Sequence, residues 1–185
     1  MLNKAKSLAL ATLVLASGFA LAATQWTTQP SSKLSFIAKQ AGAEFEAVFE
    51  KFTADIKFDP KDLAGSRFDV TIEMASVNSK DAERDTELKT PALFDTRKFP
   101  TARFVADKFS DKGGGKFAAT GKLTIRNVTK DTPIEFTFTE KGDTATLDGG
   151  TTIKRLDFGV GQGEWKDTSG VPNDVKVRFT LQLKK

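Results

Sequence analysis

The 185-residue sequence predicts an all-β protein, an eight-stranded antiparallel barrel with a short helical insertion near residues 79–89. Three observations predict it. Apolar residues recur at every second position in run after run, with polar residues between them, so each strand has one dry and one wet face. Helical patterning is confined to one short insertion and does not alternate with the runs, which excludes a βαβ rhythm and a parallel sheet. The last run, through Val175, Val177, Phe179, Leu181 and Leu183, is long and regular enough to pair with the first. That pairing removes exposed edges and favours a barrel over a sandwich. Eight strands enclose an interior just wide enough for packed side chains or one slender ligand.

The elements follow in order. Leu34, Phe36 and Ala38 share a face, as do Phe45, Ala47 and Phe49. Ala54, Ile56 and Phe58 continue the pattern until Asp59-Pro60 breaks it. Phe68, Val70, Ile72 and Met74 form the next run. Ser79–Lys89 is dense in charge and lacks alternation, so it reads as a short helix. Asn78 is placed to cap it, with Asp81 at the third helical position, and Asp81–Arg84 and Asp85–Lys89 are spaced to pair. Leu93, Phe94 and Phe99 return the chain to the body, and strands resume at Ala102–Phe109. Gly113-Gly114-Gly115 turns into Lys116–Arg126, and Asn127–Pro133 makes a second turn. Ile134, Phe136 and Phe138 follow, bounded by Gly142-Asp143, and Thr144–Arg155 is the next strand. Ser169–Asn173 then turns the chain into the final strand.

The first residues read as an export signal. Lys4 and Lys6 form a basic start, Leu8–Leu21 an apolar run, and Ala20-Leu21-Ala22 a cleavage site. The expectation is an exported protein with a signal peptide over residues 1–22, a mature chain from Ala23, and one domain over 23–185. Without Lys4 and Lys6 the chain carries 26 basic and 24 acidic residues, interspersed, with no basic block of the kind that binds nucleic acid.

Absences narrow the chemistry. No cysteine means no disulfide staple, and no histidine removes most zinc, copper and haem sites together with His-dependent nucleophilic catalysis. No loop has the dense Asp/Asn spacing of a calcium site, so neither metal nor cofactor is expected. Paired acids such as Asp157 and Glu164 could in principle run glycoside hydrolysis. A sugar cleft is normally lined by Trp and Tyr, however, and the chain has two Trp and no Tyr. Phenylalanine dominates instead, with 16 in the chain, and brings apolar area without a polar handle. The expectation is therefore a binding protein and not an enzyme.

Thr152–Trp165 is the densest local signal. It starts as a strand, places Arg155 and Asp157 on one face beside Phe158, and passes through Gly159, Gly161 and Gly163. Glycines two apart bare one face of the backbone, which allows a sharp bend or a close approach. A barrel corner holding a structural ion pair and the rim of a ligand cavity both fit this pattern.

Four groups of residues, in order, resemble the YceI-like family. They are Arg84-Asp85-x-x-Leu88 with Leu93-Phe94-Asp95; Phe99-Pro100-x-Ala102-x-Phe104; Gly121-x-Leu123-Thr124-Ile125-Arg126-x-Val128-Thr129-Lys130; and Arg155-x-Asp157-Phe158-Gly159-Val160-Gly161. Lys39-Gln40, Ala47 and Leu93 depart from residues frequent in that family. The resemblance implies a bacterial periplasmic protein with an extended lipocalin-like barrel, its lumen holding a long polyisoprenoid such as the tail of a quinone precursor.

The expected partner is thus a polyisoprenoid or isoprenoid-quinone-like lipid, loaded through transient membrane contact, and an exposed edge or rim could support a homodimer. Alternation nominates Phe36, Phe45, Phe49, Ile56, Phe58, Val70, Ile72, Phe104, Leu123, Phe136, Phe158 and Phe179 to line the lumen. Arg84, Asp85, Arg155, Asp157 and Trp165 are nominated to meet the head group. The alternatives are an ion network joining the helical insertion to the barrel, a Trp165 plug, and an exported structural or stress-response protein whose core is full.

Overall fold

The structure, a computed structural model, describes residues 23–185; the expected leader lies outside the described residues. Eleven strand segments form one sheet that closes on itself. β1 (Gln25–Thr28) and β2 (Lys33–Gln40) are two halves of one broken strand along the edge of β11 (Asp174–Lys184), with Thr28 opposite Leu183 and Leu34 opposite Phe179. β3 (Ala43–Phe49) and β4 (Phe52–Lys57) are halves of the second strand, β3 against β2 and β4 against β1. β5 (Arg67–Glu73) and β6 (Val77–Asn78) form the third. β7 (Thr101–Gly113), β8 (Lys116–Ile125), β9 (Val128–Lys141) and β10 (Thr144–Lys154) complete the wall, and every pairing is antiparallel. Counted with each broken strand taken once, the wall is the expected closed barrel of eight strands. β1 did not show in the sequence pattern because four residues, Gln-Trp-Thr-Thr, are too few to display alternation.

The helical insertion is present but shorter and differently capped. α1 spans Ala82–Leu88, and its N-cap is Asp81, whose carboxylate accepts the amides of Glu83 and Arg84. Asn78 instead closes a local turn on the amide of Lys80, which has φ 61°. The Asp81–Arg84 pair forms at 3.4 Å, whereas Asp85 turns back to accept from the amide and hydroxyl of Ser79 at 2.8 and 2.7 Å, away from Lys89.

Two other boundaries move. The turn expected over Asn127–Pro133 shrinks to Arg126-Asn127, both left-handed (φ 50° and 60°), so β9 starts at Val128. Two left-handed residues suit the twist of a tight hairpin, and Asn tolerates that conformation. β10 ends at Lys154, and Arg155–Phe158 form a 3-10 turn in place of the expected strand end. Arg155 and Asp157 therefore do not share a strand face.

The interior is continuous but divides into two packed regions. One gathers Trp26, Ile56, Phe58, Phe68, Phe117, Phe136, Phe138, Leu147 and Leu183. The other gathers Phe36, Ala47, Met74, Leu88, Phe94, Ile125, Phe158 and Val160. Phe104 packs against both.

Candidate ligand-binding lumen

Between these two regions lies a cavity of about 140 Å³ on the barrel axis. Its lining is apolar except for Thr132 and Thr151. Strand alternation produces it: inward residues from β2, β5, β7, β8, β9, β10 and β11 converge, and their polar neighbours face water.

Phe58 closes one end. It is fully buried, and the rings of Phe68, Phe109, Phe117, Phe136 and Phe138 stand 4.8–5.8 Å from its own, mostly edge-to-face. Such geometry sets ring edges against ring faces and adds to the simple burial of area. Trp26 joins this cluster against Phe138 and satisfies its indole N–H on the carbonyl of Phe58 at 2.9 Å.

The other end is roofed by α1, the segment after it, and the turn after β10. Phe36 meets Phe45, Phe49 and Phe94 with ring separations of 5.8–6.1 Å. The amides of Gly161 and Gln162 donate to Ala92 at 3.0 and 2.8 Å, binding the two parts of the roof together. Arg126 adds bonds to the carbonyls of Pro91 and Leu93 from the hairpin below.

Of the twelve apolar residues nominated by alternation, Phe36, Phe49, Ile56, Val70, Ile72, Phe104, Leu123 and Phe179 line the cavity. Four do not. Phe58 and Phe136 belong to the aromatic end cluster, Phe158 is buried in the roof, and Phe45 sits at the rim beneath the guanidinium of Arg84 at 4.3 Å. These four do point inward or roofward; what excludes them is their height along the barrel, which a two-residue period does not encode. The same blindness passed over Phe52, Phe94, Thr132 and Thr151, all of which line the cavity. Phe94 arrives from a loop, where no period applies.

The five polar nominees do not gather around the cavity. Arg84 pairs with Asp81 and covers Phe45, and Asp85 holds Ser79. Asp157 is exposed, and Trp165, half-buried in the roof, donates its indole N–H to Glu87 at 3.1 Å. Arg155 is buried, and its donors are taken by five backbone carbonyls: Pro172 (3.1 Å), Val160 (3.1 Å), Trp165 (2.6 Å), Asp167 (3.4 Å) and Val171 (2.7 Å). Neither of the alternatives drawn from the sequence, a structural ion pair with Asp157 or an ion network, describes it. Burial without a carboxylate beside it draws its pKa below the ordinary arginine value. Gly161, at φ 114°, passes so close that a Cβ there would lie 1.9 Å from a guanidinium nitrogen. The close approach that the glycine pattern suggested is thus made to Arg155.

A family model described as the YceI-like domain matches residues 26–183. A UPF0312 protein of Vibrio campbellii is 32% identical over 136 residues, which cover 70% of this chain and 72% of the relative. Among solved structures, BcnA of Burkholderia cenocepacia superposes with a TM-score of 0.82 at 37% identity, over 84% of this chain and 99% of that one. The Campylobacter jejuni YCEI protein gives 0.72 at 26% identity, over 77% and 86%. A polyisoprenoid binding domain from Saccharophagus degradans gives 0.69 at 16% identity, over 86% and 97%, a likeness of fold. The chain belongs to the YceI-like family.

Proposed function

We propose that this protein is a binding and carrier protein for a long apolar lipid of the polyisoprenoid or isoprenoid-quinone type, held in the barrel lumen, and that it works in the periplasm after loss of residues 1–22. The observation that carries this reading is the axial cavity, lined by hydrocarbon except for two threonine hydroxyls and sealed at one end by aromatic rings. A wall of this kind offers a substrate no acid or base, and nothing to activate its two threonine hydroxyls as nucleophiles, which favours binding over catalysis. The Saccharophagus domain of the same fold, described as polyisoprenoid binding, supports the class of ligand.

Energetics restrict how such a carrier works. Moving about 40 carbons from water into a dry tunnel would release roughly 30 kcal/mol at ~0.8 kcal/mol per CH₂, more than any observed affinity. The lipid comes instead from a membrane, and exchange between two hydrocarbon phases is nearly neutral. Net affinity then rests on packing and on the polar end of the ligand.

A second reading, a filled barrel with a structural or stress-response role, is favoured by one observation. The cavity, at about 140 Å³, is smaller than the roughly 300–1,000 Å³ usual for small-molecule sites. A long chain must therefore displace lining side chains. Native mass spectrometry after incubation with polyprenol- or ubiquinone-containing vesicles separates the two readings. A one-to-one lipid adduct that disappears in Ile72→Trp supports the carrier, and absence of any adduct supports the filled barrel.

A further inference from the structure

The barrel wall opens between β9 and β10. Their ladder runs from Lys141–Thr144 to Glu135–Gly150 and stops there, although β9 continues to Val128 and β10 to Lys154. Each stays paired on its other side, β9 with β8 as far as Val128 and β10 with β11 as far as Lys154. The two strands diverge like a fork.

The sequence explains the fork. Phe138 donates its amide to Gly115 at 3.1 Å, toward β8, so alternation turns the odd-numbered amides of β9 toward β10. Glu135 is the last of these to pair, and the next is Pro133, which has no N–H to give. On the facing strand, a Cβ at Gly149 would lie 2.3 Å from the Glu135 carbonyl, and one at Gly150 would lie 2.4 Å from that of Val177. Only glycine lets β10 press this closely on both neighbours where the ladder ends.

The fork joins two spaces. Inside is the lumen, whose two polar side chains, Thr132 and Thr151, stand one on each prong. Outside is a groove of about 740 Å³ over β9, β10, β11 and β2, and Thr151, Val177 and Phe179 line both. Among its charged side chains, Glu46 is held by Lys33 and Ser35, and Asp148 by Thr180. Lys176 and Arg178, exposed two residues apart on β11, have no ion-pair partner among the described residues; of the groove's carboxylates Glu135 and Asp148 also lack one, Asp148 being bonded by the Thr180 hydroxyl.

We propose that this fork is a lateral portal: an amphiphilic lipid with an anionic head enters the lumen chain-first between β9 and β10. Its head comes to rest in the outer groove beside Lys176 and Arg178. The proposal rests on the lumen reading above and adds to it the route and the place of the head. Both barrel ends are covered, one by the Phe58 cluster and the other by the roof, whereas the fork needs no packed element to unfold. Thr132 and Thr151 offer hydroxyls where the head must cross from apolar to polar surroundings.

The test uses the cysteine-free chain with Asp131→Cys and Lys154→Cys, positions that would face each other if the ladder continued, so that Pro133 is kept. A short bis-maleimide bridges them, and uptake of cis-parinaric acid is followed by its fluorescence in stopped flow. Bridging is expected to slow uptake about tenfold or more relative to the unbridged double variant, as closure of a gate does. Pro133→Val, which restores a donor toward β10, is expected to slow uptake in the same direction. Uptake at equal rates with and without the bridge overturns the portal. Lys176→Glu with Arg178→Glu is expected to weaken parinaric acid binding about fivefold and leave parinaryl alcohol unaffected, by loss of charge attraction. Equal weakening of both, or of neither, overturns the placement of the head. Failure of the unaltered chain to take up either probe overturns the lumen reading and the portal with it.

Discussion

Arg155 shows how a single side chain organises a segment that contains no strand and only two short 3-10 turns, Arg155–Phe158 and Gly163–Lys166. The turn from Leu156 to Asn173 has few backbone partners within itself, and one planar guanidinium collects five of its carbonyls. Lysine, with a compact point charge, cannot match that fork. Arg155→Lys and Arg155→Met are both expected to lower stability, by about 2–4 kcal/mol, because several buried carbonyls lose a charged donor. Urea unfolding would register this as a lower midpoint at unchanged slope. The sequence marked the residue as important but misread its partner. A carboxylate two positions away suggested a pair, and carbonyls supplied by a folded turn leave no trace in residue type. Phe58 is the corresponding apolar case. With five rings around it and no exposure, Phe58→Ala is expected to cost about 3–5 kcal/mol through lost transfer energy and a cavity at the sealed end.

At the scale of the strands, alternation made most of the wall legible, since inward and outward faces follow directly from a period of two. Leu34, Phe36, Val70, Ile72, Leu123 and Phe179 face the lumen as that period requires. What it could not supply was height along the axis, which depends on strand tilt and stagger. Phe58 and Phe136 thus share the inward face of lining residues but fall within the end cluster. Strand pairing also carries an outward charge link. Asp69 on β5 accepts from Arg103 on β7 at 2.8 and 2.6 Å and from Arg67 at 3.0 Å. Hydrogen bonding from Arg103, the largest cause, holds its carboxyl below the usual aspartate range. A carboxylate with a lowered folded pKa stabilises fully above the unfolded pKa and loses that contribution as pH falls through the folded value. Thermal melts in acid should therefore show Asp69→Asn with a shallower loss of stability than the unaltered chain. An acid limb unchanged by the substitution would show that the link contributes nothing, as exposed pairs often do.

For the whole molecule, the balance to explain is between a packed core and a vessel. Closure through β1 and the broken first strand leaves free edges at the β9–β10 fork, the aromatic cluster anchors one end, and the roof folds over the other. Between them the cavity is narrow, so occupation by a long chain requires Phe52, Phe104 and Phe179, which are only partly buried, to swing aside. A ligand bound only by the folded state stabilises it by mass action. Melting in the presence of polyprenol vesicles is accordingly expected at a higher temperature than with vesicles of phospholipid alone, and Ile72→Trp should remove the difference. The most direct measurement is mass spectrometry of an organic extract from protein purified from cells without detergent. If the lumen carries lipid, the extract holds a polyisoprenoid or quinone-like lipid in near-stoichiometric amount, absent from the Ile72→Trp protein prepared in parallel. An extract empty of such lipid, and still empty after incubation with membranes, would contradict lipid carriage by the lumen.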